Sequence, residues 1–272
     1  ILRVIVMKRL EGKRAVVLGA ATNSNMGQII ARRLTEEGAK VLVSGRNEEA
    51  LKALSSELGS SYGLCDITNH DQVRQLAEQA QQELGTVDIA INTTGWGLLK
   101  PVLEITDDEL DGIVNLQFKG VHYFLAEFVR VMIKNPISGG SLINISSATT
   151  KALVNNHAAY IGTKTGAEAL IRCVANDYGQ YGIRANSISP ALTKTPMTEG
   201  NFEVPGLADV FMSRVPLSRL NTSDDVAAAA VWLSSDEAFV TGENVQINGG
   251  LTMRGNPQSD DIQKAIAASS ST

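Results

Sequence analysis

The chain has 272 residues, 43% of them hydrophobic and 19% charged, with a formal net charge of -5 and no basic block of any length. That length carries one domain with a full core, and the negative balance excludes a nucleic-acid or anionic-membrane surface, which would need clustered Lys and Arg. Cys65 and Cys173 lie far apart and outside any Cys-x-x-Cys, so neither a disulfide framework nor a metal site is expected; both are read as small buried apolar residues of a protein in a reducing compartment.

The N-terminal Ile1–Val6 is too short to span a bilayer, and no signal-peptide cleavage pattern follows it. A cytoplasmic location is therefore expected. Met7 reads as a natural start, with residues 1–6 an extension and 7–250 a single domain. From Arg14 onward, apolar runs of strand length alternate with helical patterns. Ala15–Leu18 is the first strand. It runs into Gly19-Ala-Ala-Thr-Asn-Ser-Asn-Met-Gly27 and straight into a helix over 26–37. Small residues between a strand and a helix N-terminus are what a dinucleotide pyrophosphate requires, so Gly19, Asn25, Met26 and Gly27 are assigned to cofactor binding. The loop lacks the Gly-x-Gly-x-x-Gly spacing; Asn23 and Asn25 stand in, asparagine being tolerant of positive φ.

The second strand, Lys40–Val43, ends in Ser44-Gly45-Arg46. An acidic residue that would hold an adenosine ribose is absent there, whereas the planar fork of Arg46 suits a 2′-phosphate, so NADP(H) is favoured over NAD(H). A helix over 47–58 and a third strand, Tyr62–Cys65, follow. Thr68-Asn-His-Asp71 and Thr106-Asp-Asp-Glu109 read as capping boxes that open helices, with Asp88–Ile91 a strand between them. The helix after Thr106 is expected to be long and to carry Asn115; His70 and His122 are given only helix-start and helix-surface roles. Ser141–Ile145 is the fifth strand. Beyond it, Tyr160 and Lys164 are four residues apart on one helix face, where a cation can stabilise a phenolate and bring a group of pKa near 10 into working range. Arg184–Ile188 is the sixth strand, and 192–219 is a long apolar connection read as a lid. An Ala-rich helix begins near Thr222, Asn244–Ile247 is the seventh strand, and the polar tail 251–272 is expected to be partly disordered. The strands are continuously apolar, as burial on both faces demands, which makes the fold class α/β: one doubly wound, Rossmann-type parallel sheet of about seven strands with helices on both faces.

Taken in order, the loop at Gly19, Asp66, Asn92-Thr93-Thr94-Gly95, Asn115, Ser147, Tyr160, Lys164 and Pro190-Ala-Leu-Thr193-Lys-Thr195 give a chain that resembles the short-chain dehydrogenase/reductase family from about Leu10 to Gly250. The resemblance implies an NAD(P)-dependent oxidoreductase that interconverts a ketone and a secondary alcohol. It assigns Ser147, thirteen residues before Tyr160, to the substrate oxygen in preference to Ser146, and makes Tyr160 the general acid/base. By the same resemblance Lys164 lowers the tyrosine pKa and holds the nicotinamide ribose, and Asn115 orders a water. Asp66 and Ile67 would meet the adenine, Asn92–Gly95 and Pro190 would line the cofactor, and Thr193 and Thr195 would meet the carboxamide. Dimers or tetramers built on the helices of Asn115 and Tyr160 are also implied.

The substrate is expected to be hydrophobic, a cyclic ketone or a 3-oxoacyl group. Trp96, Ser147, Thr149, Leu153 and His157 would form one wall, and Met197 the lid, with Phe202, Val204, Leu207, Val210, Phe211 and Met212 closing over it or packing a subunit interface. Two alternatives are weighed against this: an enoyl-thioester reductase, for its lengthened loop, and a non-catalytic NADP-binding regulatory protein.

Overall fold

The computed structural model describes residues 8–135 and 139–269. Residues 1–6, read as an extension, and Met7, read as the start, lie outside the described residues. Seven parallel strands, β1 (Arg14–Leu18), β2 (Lys40–Gly45), β3 (Ser61–Leu64), β4 (Ile89–Asn92), β5 (Gly140–Ile145), β6 (Ile183–Pro190) and β7 (Asn244–Ile247), form one sheet in the order β3-β2-β1-β4-β5-β6-β7. The order reverses between β1 and β4, and a crevice at the carboxyl ends of such a pair is where an α/β sheet takes its ligand.

The helices are α1 (Met26–Glu36), α2 (Glu48–Leu58), α3 (His70–Leu84), α4 (Asp107–Val114), α5 (Gly120–Met132), α6 (Ala158–Tyr178), α7 (Glu199–Glu203), α8 (Leu207–Ser213), α9 (Ser223–Ser234), α10 (Leu251–Arg254) and α11 (Ser259–Ser269). One face of the sheet is covered around Leu76, Phe124, Phe128 and Ile171 of α3, α5 and α6. Ile30, Leu34, Leu51, Val226 and Leu233 of α1, α2 and α9 cover the other. Full burial of each such side chain contributes about 1.5–3 kcal/mol. None of the helices among the described residues is long and apolar enough to cross a membrane.

Local chemistry explains most helix starts. Asn25 and Asn47 cap α1 and α2, while Thr106 with Glu109 and Thr222 with Asp225 form reciprocal capping boxes. The box expected at Thr68 does not form. Thr68 Oγ1 instead donates to Asp66 Oδ1 at 2.8 Å, Asp71 pairs with Arg74, and Asn69 caps α3 by accepting from the Gln72 amide.

Three further expectations are corrected. Cys65 is buried, but Cys173 is exposed, because Ala167, Ile171 and Ala175 take the inward face of α6 and Cys173 falls on the other. His70 does more than begin a helix: its Nε2 lies 2.9 Å from the buried Glu127 carboxylate, and its ring stacks on Tyr123 at 4.4 Å. The helical run through Asn115 is not one long α-helix. Asn115–Lys119 is a π turn in which the Gly120 amide donates to the Asn115 carbonyl, inserting one extra residue between α4 and α5.

The tail after Gly250, expected to be partly disordered, is helical over Leu251–Arg254 and Ser259–Ser269; residues 270–272 lie outside the described residues. It crosses the mouth of the sheet as a strap. Asn256 Nδ2 donates to the Ala152 carbonyl at 2.5 Å, Gln258 Nε2 to the Leu153 carbonyl at 3.2 Å, and the Ser259 amide to Asn155 Oδ1 at 2.9 Å. On the other side Asp261 pairs with Arg214 at 2.7 Å, and the Ala265 carbonyl abuts Gly206.

Candidate active site

The switch point is sealed by close backbone approach. The Thr93 amide donates to the Leu18 carbonyl at 2.8 Å, and a Cβ on Gly19, whose φ is +103°, would stand 2.4 Å from Thr93 Oγ1. A Cβ on Gly27 would lie 2.7 Å from the Gly19 carbonyl oxygen. Only glycine fits at either place. Asn25 braces the lengthened loop: its Oδ1 accepts from the Gln28 amide, and its Nδ2 donates to the Gly19 carbonyl at 2.7 Å. Met26, the first residue of α1, packs against the adjoining core. Unlike α2, α3, α4 and α9, helix α1 has no acidic residue in its first turn. A close-packed cradle between Gly19 and Gly27, at a helix N-terminus without carboxylates, fits a dinucleotide pyrophosphate.

Beyond β2, Ser44 is buried and Gly45 packs on Ala21, which leaves Arg46 as the first exposed side chain. Its Nη1 lies 3.6 Å from Asp66 Oδ2. Asp66 Oδ1 accepts from the Thr68 amide and hydroxyl; these bonds and Arg46 hold its carboxyl below the usual range, against the opposing effect of burial. The Ile67 side chain is buried against Gly120, so it can offer a base only its backbone. Asn92 is wholly buried; its Nδ2 donates to Asn144 Oδ1 and its Oδ1 accepts from the Thr94 amide and hydroxyl, which fixes the turn into Gly95. Pro190 ends β6. Thr193 turns its hydroxyl back to the Ala191 carbonyl, and the Thr195 amide and hydroxyl both meet Thr198 Oγ1.

Ser147, Tyr160 and Lys164 converge between β5 and α6. The Ser147 hydroxyl accepts from the Thr149 hydroxyl at 2.9 Å and from its amide at 3.2 Å, and its polarity acts on the nearby Tyr160 phenol to lower its pKa. Ser146, one residue earlier on extended backbone, points to the opposite side, to Glu168. Lys164 is 5% exposed; its Nζ donates to the Ile145 carbonyl at 2.8 Å and lies 5.8 Å from the centre of the Tyr160 ring. Burial pushes the Lys164 ammonium down to about 8, while Glu168 acts to raise it. The expected lowering of the tyrosine pKa by Lys164 is corrected here: burial raises the phenol, offset in part by the neighbouring Ser147, and the ammonium is engaged by a backbone carbonyl instead.

Asn115 lies in the π turn, whose residues pack against α6. Gln117, two residues on and 1% exposed, accepts from the Trp96 amide at 3.0 Å and donates to Thr163 Oγ1 at 2.9 Å. A Cβ on Gly95 would meet Gln117 Oε1 at 3.3 Å and Lys164 Nζ at 3.5 Å, so the π turn, α6 and the segment after β4 close on one another at that glycine. Gln117 and Glu168 were not legible as site residues. The i, i+4 spacing of Lys164 and Glu168 was a signal for the second; only the π register brings in the first.

Around this centre, the His157 ring lies 4.8 Å from that of Tyr160, and its buried Nδ1 has no hydrogen-bond partner. Trp96, Leu153 and Met197 leave 38%, 63% and 56% of their surfaces open. Met197 Sδ would be 3.6 Å from a Cβ on Gly97, so the beginning of the lid already lies over the segment after β4. The rest of the lid is two short helices rather than a loop. Val210, expected to close over substrate or to pack a subunit interface, lines a pocket with Arg214, Arg254, Asp261 and Lys264 where α8 meets the C-terminal strap.

Residues 19–252 match a family model described as Enoyl-(Acyl carrier protein) reductase. The mitochondrial borneol dehydrogenase of Lavandula x intermedia is 34% identical over 252 residues, covering 91% of this chain and 93% of that protein. 3beta-hydroxysteroid dehydrogenase 2 of Eggerthella lenta is 33% identical, with 89% and 95% covered. Among solved structures, a gluconate 5-dehydrogenase from Burkholderia cenocepacia in complex with NADP and tartrate superposes with a TM-score of 0.85 at 27% identity, covering 91% of this chain and 98% of that one. With a dinucleotide cradle at the switch point and a serine, tyrosine and lysine gathered beside it, the chain belongs to the short-chain dehydrogenase/reductase family, as an oxidoreductase that interconverts alcohols and ketones with a nicotinamide cofactor.

Proposed function

We propose that the protein interconverts a hydrophobic cyclic ketone and its secondary alcohol, with NADP(H) preferred. The observation that carries this reading is the set of exposed apolar side chains, Trp96, Leu153 and Met197, on the segments that leave the carboxyl ends of β4, β5 and β6, the end of the sheet from which Ser147 also extends. When bound, the nicotinamide supplies or takes the hydride. Ser147 donates to the substrate oxygen, and Tyr160, kept protonated at neutral pH by burial, gives that oxygen its proton in reduction. Oxidation needs the phenolate and is therefore expected to speed up as the pH rises. Lys164 holds the ribose, and Asn115 orders the water through which the proton is replaced. The two relatives named for borneol and a hydroxysteroid support a rigid, apolar substrate. The family model's description favours an enoyl thioester instead; against that stand the four-residue spacing of Tyr160 and Lys164 and the placement of Ser147 where it acts on the Tyr160 phenol.

A substrate panel separates the readings: a bicyclic monoterpenone, a 3-oxosteroid, a linear 3-oxoacyl thioester and an enoyl thioester, each with NADPH and followed by cofactor absorbance. Oxidation of NADPH by the cyclic ketones is expected. Turnover of the enoyl thioester alone would overturn the proposal.

The cofactor preference rests on Arg46, exposed at the end of β2 and loosely paired with Asp66. Charge-assisted hydrogen bonds to a 2′-phosphate contribute about 1.5–3 kcal/mol. Arg46→Ala should therefore weaken NADPH binding about tenfold to a hundredfold and leave NADH within about twofold, as read by fluorescence titration. Equal affinities for NADPH in the two proteins would refute the preference.

A further inference from the structure

Behind Lys164, on the side away from the substrate cleft, sits a carboxylate to which the family's catalytic set gives no role. Glu168 follows Lys164 by four residues on α6, so the two Cβ atoms lie on one face, about 5–6 Å apart. Its Oε1 accepts from Ser146 Oγ at 2.5 Å and from Asn244 Nδ2 at 2.6 Å. Those partners come from the end of β5 and from β7, so one oxygen joins three elements. Ser146 directly precedes Ser147, and its amide donates to the Ile188 carbonyl at 2.8 Å; the clamp thus holds the backbone that carries Ser147.

The second observation is electrostatic. Lys164 is almost wholly buried, its nearest polar contact is the Ile145 carbonyl, and Glu168 is the ionised group that acts on it. Tyr160 on α6 and the neutral Gln117 of the π turn also face it, and neither brings a negative charge at neutral pH. Glu168 in turn borders a cavity of about 430 Å³ together with Lys151, Arg172 and Glu243, so that with Glu168 two cations and two anions line the opening.

We propose that Glu168 is a positioning residue of the active site, which supplies the counter-charge to the buried Lys164 ammonium and, through Ser146 and Asn244, anchors the segment that carries Ser147. This rests on the Tyr160–Lys164 chemistry but not on the identity of the substrate.

The test reads Lys164 directly. Protein with carbon-13 at the lysine ε position, free of cofactor, is titrated by NMR, the Lys164 signal being assigned by its loss in Lys164→Arg. In the natural protein the midpoint is expected near 8. Glu168→Gln keeps both hydrogen-bond partners and removes the charge; the midpoint should fall by about one pH unit. The alkaline limb of kcat/KM for a cyclic ketone should move to lower pH by a similar amount. Ser146→Ala keeps the charge, so it should leave the midpoint within about a third of a pH unit while lowering kcat several-fold. If Glu168→Gln does not fold, Glu168→Ala, which also removes the charge, is read in its place, with a fall of similar size expected. An unchanged Lys164 midpoint in a folded variant overturns the proposal, even where the protein turns over no substrate of the panel.

Discussion

Tyr160→Phe should lower kcat/KM by at least about a hundredfold to ten thousandfold, the range that general acid/base catalysis contributes, while the protein folds and binds cofactor as before. The ring is retained, so its packing against His157 survives. Ser147 keeps its two bonds from Thr149 and is not left without partners. Only the proton is lost. Steady-state rates together with a fluorescence titration of NADPH give the comparison that matters: a rate within tenfold of the natural protein, at unchanged affinity, would show that another group moves the proton. Because burial raises the phenol, the reductive direction should be nearly flat through neutral pH, where the hydroxyl remains protonated.

A chain ending at Gly255 should lose its grip on bulky ketones. Four hydrogen bonds tie the strap to Ala152, Leu153 and Asn155, and Asp261 ties it to Arg214 on the lid side. Net contributions of about 1 kcal/mol per hydrogen bond amount to about 4 kcal/mol, and a domain of this size then loses about 8–16 °C of melting temperature. The specific expectation is kinetic. Without the strap, Leu153 and the lid are no longer held across the cleft, so KM for a bicyclic ketone should rise about tenfold or more. NADPH affinity should stay within about twofold, because Ala152, Leu153, Asn155 and Arg214, to which the strap is bonded, are not among the residues assigned to the cofactor. Asn256→Ala, which removes only the bond to the Ala152 carbonyl, should move KM in the same direction by less. A lower melting temperature with an unchanged KM would reduce the strap to a purely structural role.

The seven strands were legible because each is a continuous apolar run, and buried parallel strands cannot be written otherwise. Tyr160 and Lys164 were legible because they share one helix turn, whereas Ser147 was assigned through the family resemblance, by its thirteen-residue distance from Tyr160. What was hidden depends on long-range partners or on register. Thr68 and Asn69 are both competent caps, and the choice fell to Asp66, which captured the threonine hydroxyl. The π turn at Asn115 carries no composition of its own, so neither the extra residue nor the delivery of Gln117 to Gly95 could be read. Helix α11 did announce itself, through Ser259 followed by Asp260 and Asp261, an acidic first turn. The Ser-rich residues beyond it masked that signal. The direction of the Tyr160 shift was misread because two residues on one helix face need not point their charges at each other, and the Ile145 carbonyl had claimed the ammonium.

The lengthened loop after β1 has a consequence for the entropy of binding. Extra residues in a ligand loop ordinarily fluctuate until the ligand arrives, and ordering them is charged against affinity. Here that ordering is complete beforehand. Asn25 bonds back to Gly19, Gln28 reaches the Ala20 carbonyl and receives the Ser24 amide, and the Asn25 amide closes on Thr22. The added length is a rigid collar, and the freedom it might have cost at each catalytic cycle is given up once, when the chain folds.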